Sequence, residues 1–175
     1  MQGVKTAPEA EFAGISIHTL ESNDEAAVEE VFAGLSSDSR FARYHTGTPM
    51  LPSGVKALLR RVDRGGAVAH VARSPTGTAI GLVWVIRTGD CGAELAIEVV
   101  DAWHGRGIGS RLIRAAEVAA TANGIHRVRA EVLGTNRAAV GLLRKMAPHA
   151  TVTREGPELV FEWEPGVLAT SQQAA

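Results

Sequence analysis

The 175-residue chain predicts an α+β fold: one mixed sheet, mostly antiparallel, with helices packed on its faces. Three observations carry that prediction. Residues 67–100 hold three apolar runs separated only by Pro75-Thr76-Gly77 and Gly89-Asp90-Cys91-Gly92, links so short that neighbouring strands must be antiparallel. A glycine-dense turn, His104-Gly105-Arg106-Gly107-Ile108-Gly109, follows the third run and flows into a helical pattern. A further alternating run, 126–133, lies beyond that helix, so it should run parallel to the strand before the turn.

The elements follow in order. Residues 1–12 read as a flexible N-terminus and 166–175 as a disordered tail, leaving 13–165 as one domain. Ile15–Leu20 alternates as a strand. Ser22-Asn23-Asp24 offers caps for a helix through Ala26, Val28, Val31 and Phe32, ended by Gly34. Leu35–Tyr44 mixes polar and aromatic residues without a clear period. A second helix follows Pro52-Ser53 through Val55, Leu58, Leu59 and Val62 and stops at Gly65-Gly66. Ala67–Ala72, Ala79–Arg87 and Glu94–Val100 form the meander. Ile108, Leu112, Ala115, Ala116 and Ala119 then recur at helical spacing as far as Asn123-Gly124. His126–Leu133 alternates Val128, Ala130 and Val132 against Arg127, Arg129 and Glu131. Thr135-Asn136 opens a short helix through Ala139, Leu142, Leu143 and Met146. Thr151–Thr153 and Leu159–Trp163, hinged at Glu155-Gly156-Pro157, make a last hairpin. The predicted order is β-α-α-β-β-β-α-β-α-β-β.

Bulk composition narrows the function classes. A formal charge of −1 gives no field for non-specific nucleic-acid binding. The single Cys91 excludes an internal disulfide and fits a reducing compartment. The N-terminus lacks the apolar core of a signal peptide, and the longest apolar run, Ala79–Ile86, is too short to span a bilayer. A soluble, cytoplasmic protein without a membrane or nucleic-acid partner is expected. His18, His45, His70, His126 and His149 show no metal-ligand spacing, so no metal is expected. Ser110 lacks the Gly-x-Ser-x-Gly elbow because Leu112 occupies its last position.

The glycine turn is the chemical centre of the sequence. A helix that starts there presents unpaired N–H groups and a positive dipole end, which bind phosphate. No Walker string occurs. Gly105-x-Gly107-x-x-Ser110 nearly matches a dinucleotide fingerprint, and Glu131 stands where a ribose-binding acid would. A dinucleotide fold, however, places its loop after the first strand of an alternating β-α chain, and here the loop follows the fourth strand.

The third cradle is Gln/Arg-x-x-Gly-x-Gly/Ala, matched by His104–Gly109 with His at the first position. A second motif, Asn-x-x-Ala-x-x-Leu-Tyr, is matched by Asn136–Leu143 with Leu143 in place of Tyr. Together these resemble the GCN5-related N-acetyltransferases (GNAT). Ser36-x-x-Ser39-Arg40-Phe41-x-Arg43-Tyr44 is similar to a segment of the bacterial protein-lysine acetyltransferase branch. The resemblance implies a sheet splayed between the fourth and fifth strands, acetyl-CoA or another acyl-CoA as co-substrate, and a primary amine as acceptor, with protein lysine slightly favoured over a small amine. It implies that main-chain groups of Ile97 and Val99 pair with the pantetheine arm. His104, Gly105, Arg106, Gly107, Ile108, Gly109 and Ser110 would hold the pyrophosphate, with Arg111 near enough to add charge, and Asn136 would touch the cofactor. It is compatible with a homodimer and does not specify one.

The chemistry selects one further residue. A lysine-type amine with pKa about 10.4 must lose a proton before attacking. Glu94 and Glu98 share strand parity but stand roughly 13 Å apart. The arm runs back from the turn along the strand, which places the thioester near its start and favours Glu94 as base, with Glu98 in reserve. Ala93-Glu94-Leu95-Ala96 also matches the Ala-Glu-x-Ala string of the lysine-acetyltransferase branch. Leu143 removes the tyrosine that protonates the leaving sulfur in many relatives. That departure sustains a second reading, a CoA-binding or sensing module that keeps the cradle without efficient chemistry.

Overall fold

A computed structural model describes residues 14–45, 49–62 and 64–166. The expected flexible terminus, 1–12, and all of the expected tail except Gly166 lie outside the described residues. In chain order the strands are β1 (Ser16–Thr19), β2 (Ala67–Arg73), β3 (Ala79–Arg87), β4 (Gly92–Val99), β5 (Arg127–Leu133), β6 (Thr151–Glu155) and β7 (Glu158–Trp163). The helices are α1 (Glu25–Gly34), α2 (Ser37–Tyr44), α3 (Ser53–Val62), α4 (Ile108–Ala122) and α5 (Arg137–Met146), with one 3-10 turn at Asp101–Trp103. The sheet order is β1-β2-β3-β4-β5-β7-β6. Among the described residues only β4 and β5 pair in parallel; every other neighbour is antiparallel.

Both faces of the sheet centre are covered, which is why β3 reads as a continuous apolar run. Leu82 and Trp84 turn toward Val28 and Val31 of α1 and Leu59 of α3. Val83 and Val85 turn the other way, onto Leu112, Ile113 and Ala116 of α4, where Phe161 of β7 and Leu143 of α5 complete the second core. Each large apolar side chain fully removed from water contributes about 1.5–3 kcal/mol. Trp84, Leu112 and Phe161 are fully buried and anchor the two layers. On β5 the predicted alternation holds, with Val128, Ala130 and Val132 buried.

One element departs from the predicted order: α2 makes three helices, not two, between β1 and β2. Its residues, Ser-Asp-Ser-Arg-Phe-Ala-Arg-Tyr, include no buried side chain, so they carry no apolar period to read. Polar contacts hold the helix instead. Ser36 caps it by accepting from Ser39 N–H at 3.2 Å. Asp38 lies in the first turn and Arg43 in the last, matching the helix dipole.

Candidate active site

The site is built from a strand that loses its partner. Even-numbered residues of β4 turn their main-chain groups toward β3: Val100 N–H donates to the Ile80 carbonyl at 2.9 Å, and Thr88 N–H to the Gly92 carbonyl at 2.9 Å. Odd-numbered residues therefore face the opposite edge, and the Cys91 carbonyl accepts there from His126 N–H at 2.8 Å. The β4–β5 ladder runs from Gly92↔Arg127 only to Glu94↔Arg129. β5 continues along β7 as far as Leu133↔Glu158, so the two strands diverge. Main-chain groups of Ile97 and Val99 thus open onto a gap with no strand across it.

That gap belongs to a cavity of about 680 Å³. Its walls are β4 from Glu94 to Val99, Ala130–Val132 of β5, the glycine turn, α5 from Asn136 to Lys145, and the α2 side through Ser39, Ala42, Arg43 and His45. Of the predicted cofactor residues, Ile97, Val99, His104, Gly105, Gly107, Ile108, Gly109, Ser110 and Asn136 all line it.

The glycine turn takes its shape from backbone conformations that L side chains resist. Gly105 and Gly107 have φ of +74° and +71°. Gly107 is the N-cap of α4, and Arg111 N–H closes the first helical bond onto its carbonyl at 3.2 Å. The N–H groups of Ile108, Gly109 and Ser110 precede that bond and have no helical acceptor. A Cβ on Gly109 would lie 2.8 Å from Leu142 Cδ2, so this glycine lets α4 and α5 close behind the turn. The His104 ring nitrogen Nε2 lies 2.7 Å from the Val99 carbonyl and pins the turn to the strand end. This contact occupies the Val99 carbonyl, leaving its N–H and both groups of Ile97 toward the gap.

Other predicted residues are placed differently. Arg106 is exposed and outside the cavity lining, its guanidinium 4.9 Å from the Trp103 ring centroid. Arg111 lies outside the cavity lining and donates to the Ile15 carbonyl at 3.0 Å. Asn136 caps α5, accepting from Ala139 N–H at 3.1 Å. Glu131 pairs with Arg129 at 2.8 Å on the far wall.

The two candidate carboxylates have contrasting surroundings. Glu94 is exposed on the cavity wall. Glu98 is buried, and its Oε2 accepts from the Tyr44 hydroxyl at 2.7 Å and lies 3.1 Å from Arg43 Nε. Burial, reinforced by the neighbouring Glu98 charge, pushes the Tyr44 phenol far above its ordinary range, so it stays a donor.

The Ser36–Tyr44 segment is the part whose helix and docking contacts the sequence did not reveal. Ser36 N–H and the Ser36 and Ser39 hydroxyls all donate to the Asp101 carboxylate, at 2.9, 2.8 and 2.8 Å. Burial pushes the Asp101 carboxyl up, but these donors outweigh it and hold it below the usual carboxylate range. Arg40 stacks over Phe32 at 4.5 Å and donates to the Phe32 carbonyl at 3.2 Å. At the far end His45, with φ +54°, reaches Glu158 at 3.5 Å. The segment is therefore a helix fastened to β4 and its end through Glu98 and Asp101 and to β7 through Glu158. Its sequence signal was the Ser36 cap followed by first-turn Asp38.

Among the described residues no helix is long and apolar enough to cross a membrane, and no cluster of His, Cys, Asp or Glu could hold a metal.

Comparison with known proteins agrees with this geometry. No curated protein matches the chain significantly. The GNAT domain of S. lividans PAT superposes with a TM-score of 0.74 at 24% identity, over 85% of this chain and 89% of that one. Salmonella typhimurium yncA, solved with its cofactor acetyl-CoA, gives 0.70 at 18% over 86% and 94%. A Sinorhizobium meliloti phosphinothricin acetyltransferase in complex with AcCoA gives 0.70 at 16% over 87% and 89%. These likenesses show the shared fold. The profile of the acetyltransferase (GNAT) family matches residues 35–147, a stretch that holds the splayed strands, the glycine turn and the Asn136 helix. The chain belongs to the acetyltransferase (GNAT) family.

Proposed function

We propose that the chain transfers an acetyl group from acetyl-CoA directly to a primary amine, with Glu94 as the base. The observation that carries this reading is the divergence of β4 from β5 beyond Glu94↔Arg129, directly beside the unpaired N–H groups at the start of α4. An amide-bearing arm fits the edge left by Ile97 and Val99, and a diphosphate fits the turn. The residues present therefore suit the donor that two of the structural neighbours hold.

When bound, the donor supplies a thioester: its acyl carbon takes the amine nitrogen, its C–S bond breaks, the sulfur departs as thiolate, and the surplus proton on the new amide nitrogen passes to that thiolate or to water. The chain does the rest. Ile97 and Val99 align the arm, and the N–H groups of Ile108, Gly109 and Ser110 hold its charged end. Glu94, on the wall near the start of β4, accepts the ammonium proton, directly or through water, before attack. No tyrosine takes the general-acid position: Leu143 is buried in the core, and the Tyr44 hydroxyl is committed to Glu98. A thiol with pKa near 8.5 leaves tolerably without an acid.

The acceptor is a primary amine, with protein lysine favoured by the segment that forms the α2 wall. Acetyl-CoA incubated with a panel of amines, peptides and lysine-bearing proteins, with free thiol measured, tests the reading. Acceptor-dependent thiol release is expected. Tight CoA binding without release would favour the sensing module.

A further inference from the structure

Arg43 sits in the α2 wall with its two edges in different surroundings. Its Nε is sealed from solvent and lies 3.1 Å from Glu98 Oε2, an ion pair without hydrogen-bond alignment. Tyr44 donates to the same oxygen at 2.7 Å, and the Arg43 Cζ lies 4.9 Å from the Tyr44 ring centroid. The Glu98 side chain is 2% exposed and that of Arg43 22%. Arg43 lines the cavity, and among the described residues no hydrogen bond engages its Nη1 or Nη2.

Stability does not account for this arrangement, because a buried ion pair seldom outperforms apolar packing of similar volume. What it does provide is a guanidinium held along its inner edge by the Glu98 charge and the Tyr44 ring and open along its outer one. Such an edge is a planar fork of donors matched to carboxyl-derived oxygens. Glu98, which holds it, lies four residues along β4 from Glu94, ~13 Å between Cα atoms. Arg43 and Glu94 line the same cavity, so an acceptor whose amine lies at Glu94 can carry an oxygen-bearing end toward Arg43.

We propose that Arg43 orients the acceptor: its outer edge receives a carbonyl or carboxylate oxygen carried at the opposite end of an alkyl chain from the reacting amine. Glu98 and Tyr44 are positioning residues that fix the guanidinium. The proposal takes the amine's location from the reading of Glu94 as base. The acceptor class becomes lysine-like, and the oxygen comes either from a peptide carbonyl or from a free amino-acid carboxylate.

The test measures equilibrium binding to CoA-saturated protein, which needs no turnover. The ligands are Nα-acetyl-lysine N-methylamide, free lysine and 1,5-diaminopentane. The wild-type protein should bind at least one lysine form ten-fold or more tightly than the diamine, and the tighter form identifies the source of the oxygen. R43Q should abolish that preference while leaving diamine binding within two-fold. Y44F should weaken the preference less, and CoA affinity should stay within two-fold in each variant. Should R43Q fail to fold, R43K should lose at least three-fold of the preference by surrendering the fork.

Equal binding of all three ligands by the wild-type protein, or a preference that survives in R43Q or R43K, overturns the proposal. Selective binding without thiol release leaves Arg43 as proposed and removes the transfer reading instead.

Discussion

Replacing Asp101 with alanine should loosen the acceptor wall while sparing the donor cradle. The carboxylate accepts three hydrogen bonds, at 2.9, 2.8 and 2.8 Å, from Ser36 and Ser39, which hold the N-terminal end of α2, while Tyr44, Arg43 and Arg40 hold the rest. Bonds to a charged acceptor contribute about 1.5–3 kcal/mol each when shielded, but water replaces part of that at this half-exposed position. Crediting each with ~0.7 kcal/mol gives about 2 kcal/mol of docking lost, roughly a thirtyfold shift toward undocked helix. Amide hydrogen exchange across Ser37–Tyr44 should accelerate by about that factor. The amine KM should rise about ten- to thirtyfold, with acyl-CoA affinity changed less than threefold.

The effect also carries a pH signature. Burial raises the Asp101 carboxyl, but its donors outweigh that and leave it depressed. Its contribution is therefore fully present above the ordinary carboxylate pKa and is lost as pH falls through the depressed native value. The wild-type protein and D101A should converge in acid. Unchanged α2 exchange in D101A at neutral pH would refute the reasoning.

Glu94→Gln should lower turnover strongly at neutral pH and less at high pH, where free amine is abundant; an equal loss across the pH–rate profile would remove Glu94 as base. Gly107→Val places a β-branched residue at φ +71°, costing at least ~1–2 kcal/mol and distorting the cradle. Calorimetric titration should then show CoA binding abolished in a protein that still folds. Glu117 accepts from Trp163 Nε1 at 2.9 Å in the core, and burial raises its carboxyl despite that bond. A raised acid destabilises the native state increasingly as pH climbs from the ordinary carboxylate pKa through the native value. Glu117→Gln, which keeps an acceptor for the indole, should therefore raise Tm at pH 7–8, by about 2–4 °C per kcal/mol recovered, and make little difference near pH 4.

Much of this architecture is legible from local signals. The meander follows from strand alternation and short turns, and the crossover to β5 from the intervening helix. The positive φ at Gly105 and Gly107 is what their glycine identity implied. The α2 helix escaped because its stability is polar and non-local: Ser36 meets Asp101 across 65 residues, and Tyr44 meets Glu98 across 54. Strand parity put Glu94 and Glu98 on one face but could not show that α2 buries one and leaves the other open. The placements of Arg106 on Trp103, Arg111 on Ile15 and His104 on the Val99 carbonyl depend on the surrounding fold, and sequence proximity to the turn carried no such information.

The central claim is that a diphosphate sits on the amides opening α4 and directs a thioester back along the exposed edge of β4. Titrating the isotope-labelled protein with CoA and following backbone amide resonances tests it most directly. Saturable shifts concentrated at Ile97, Val99 and Gly105–Ser110 are predicted. Binding that shifts resonances elsewhere and leaves those amides unmoved would contradict it.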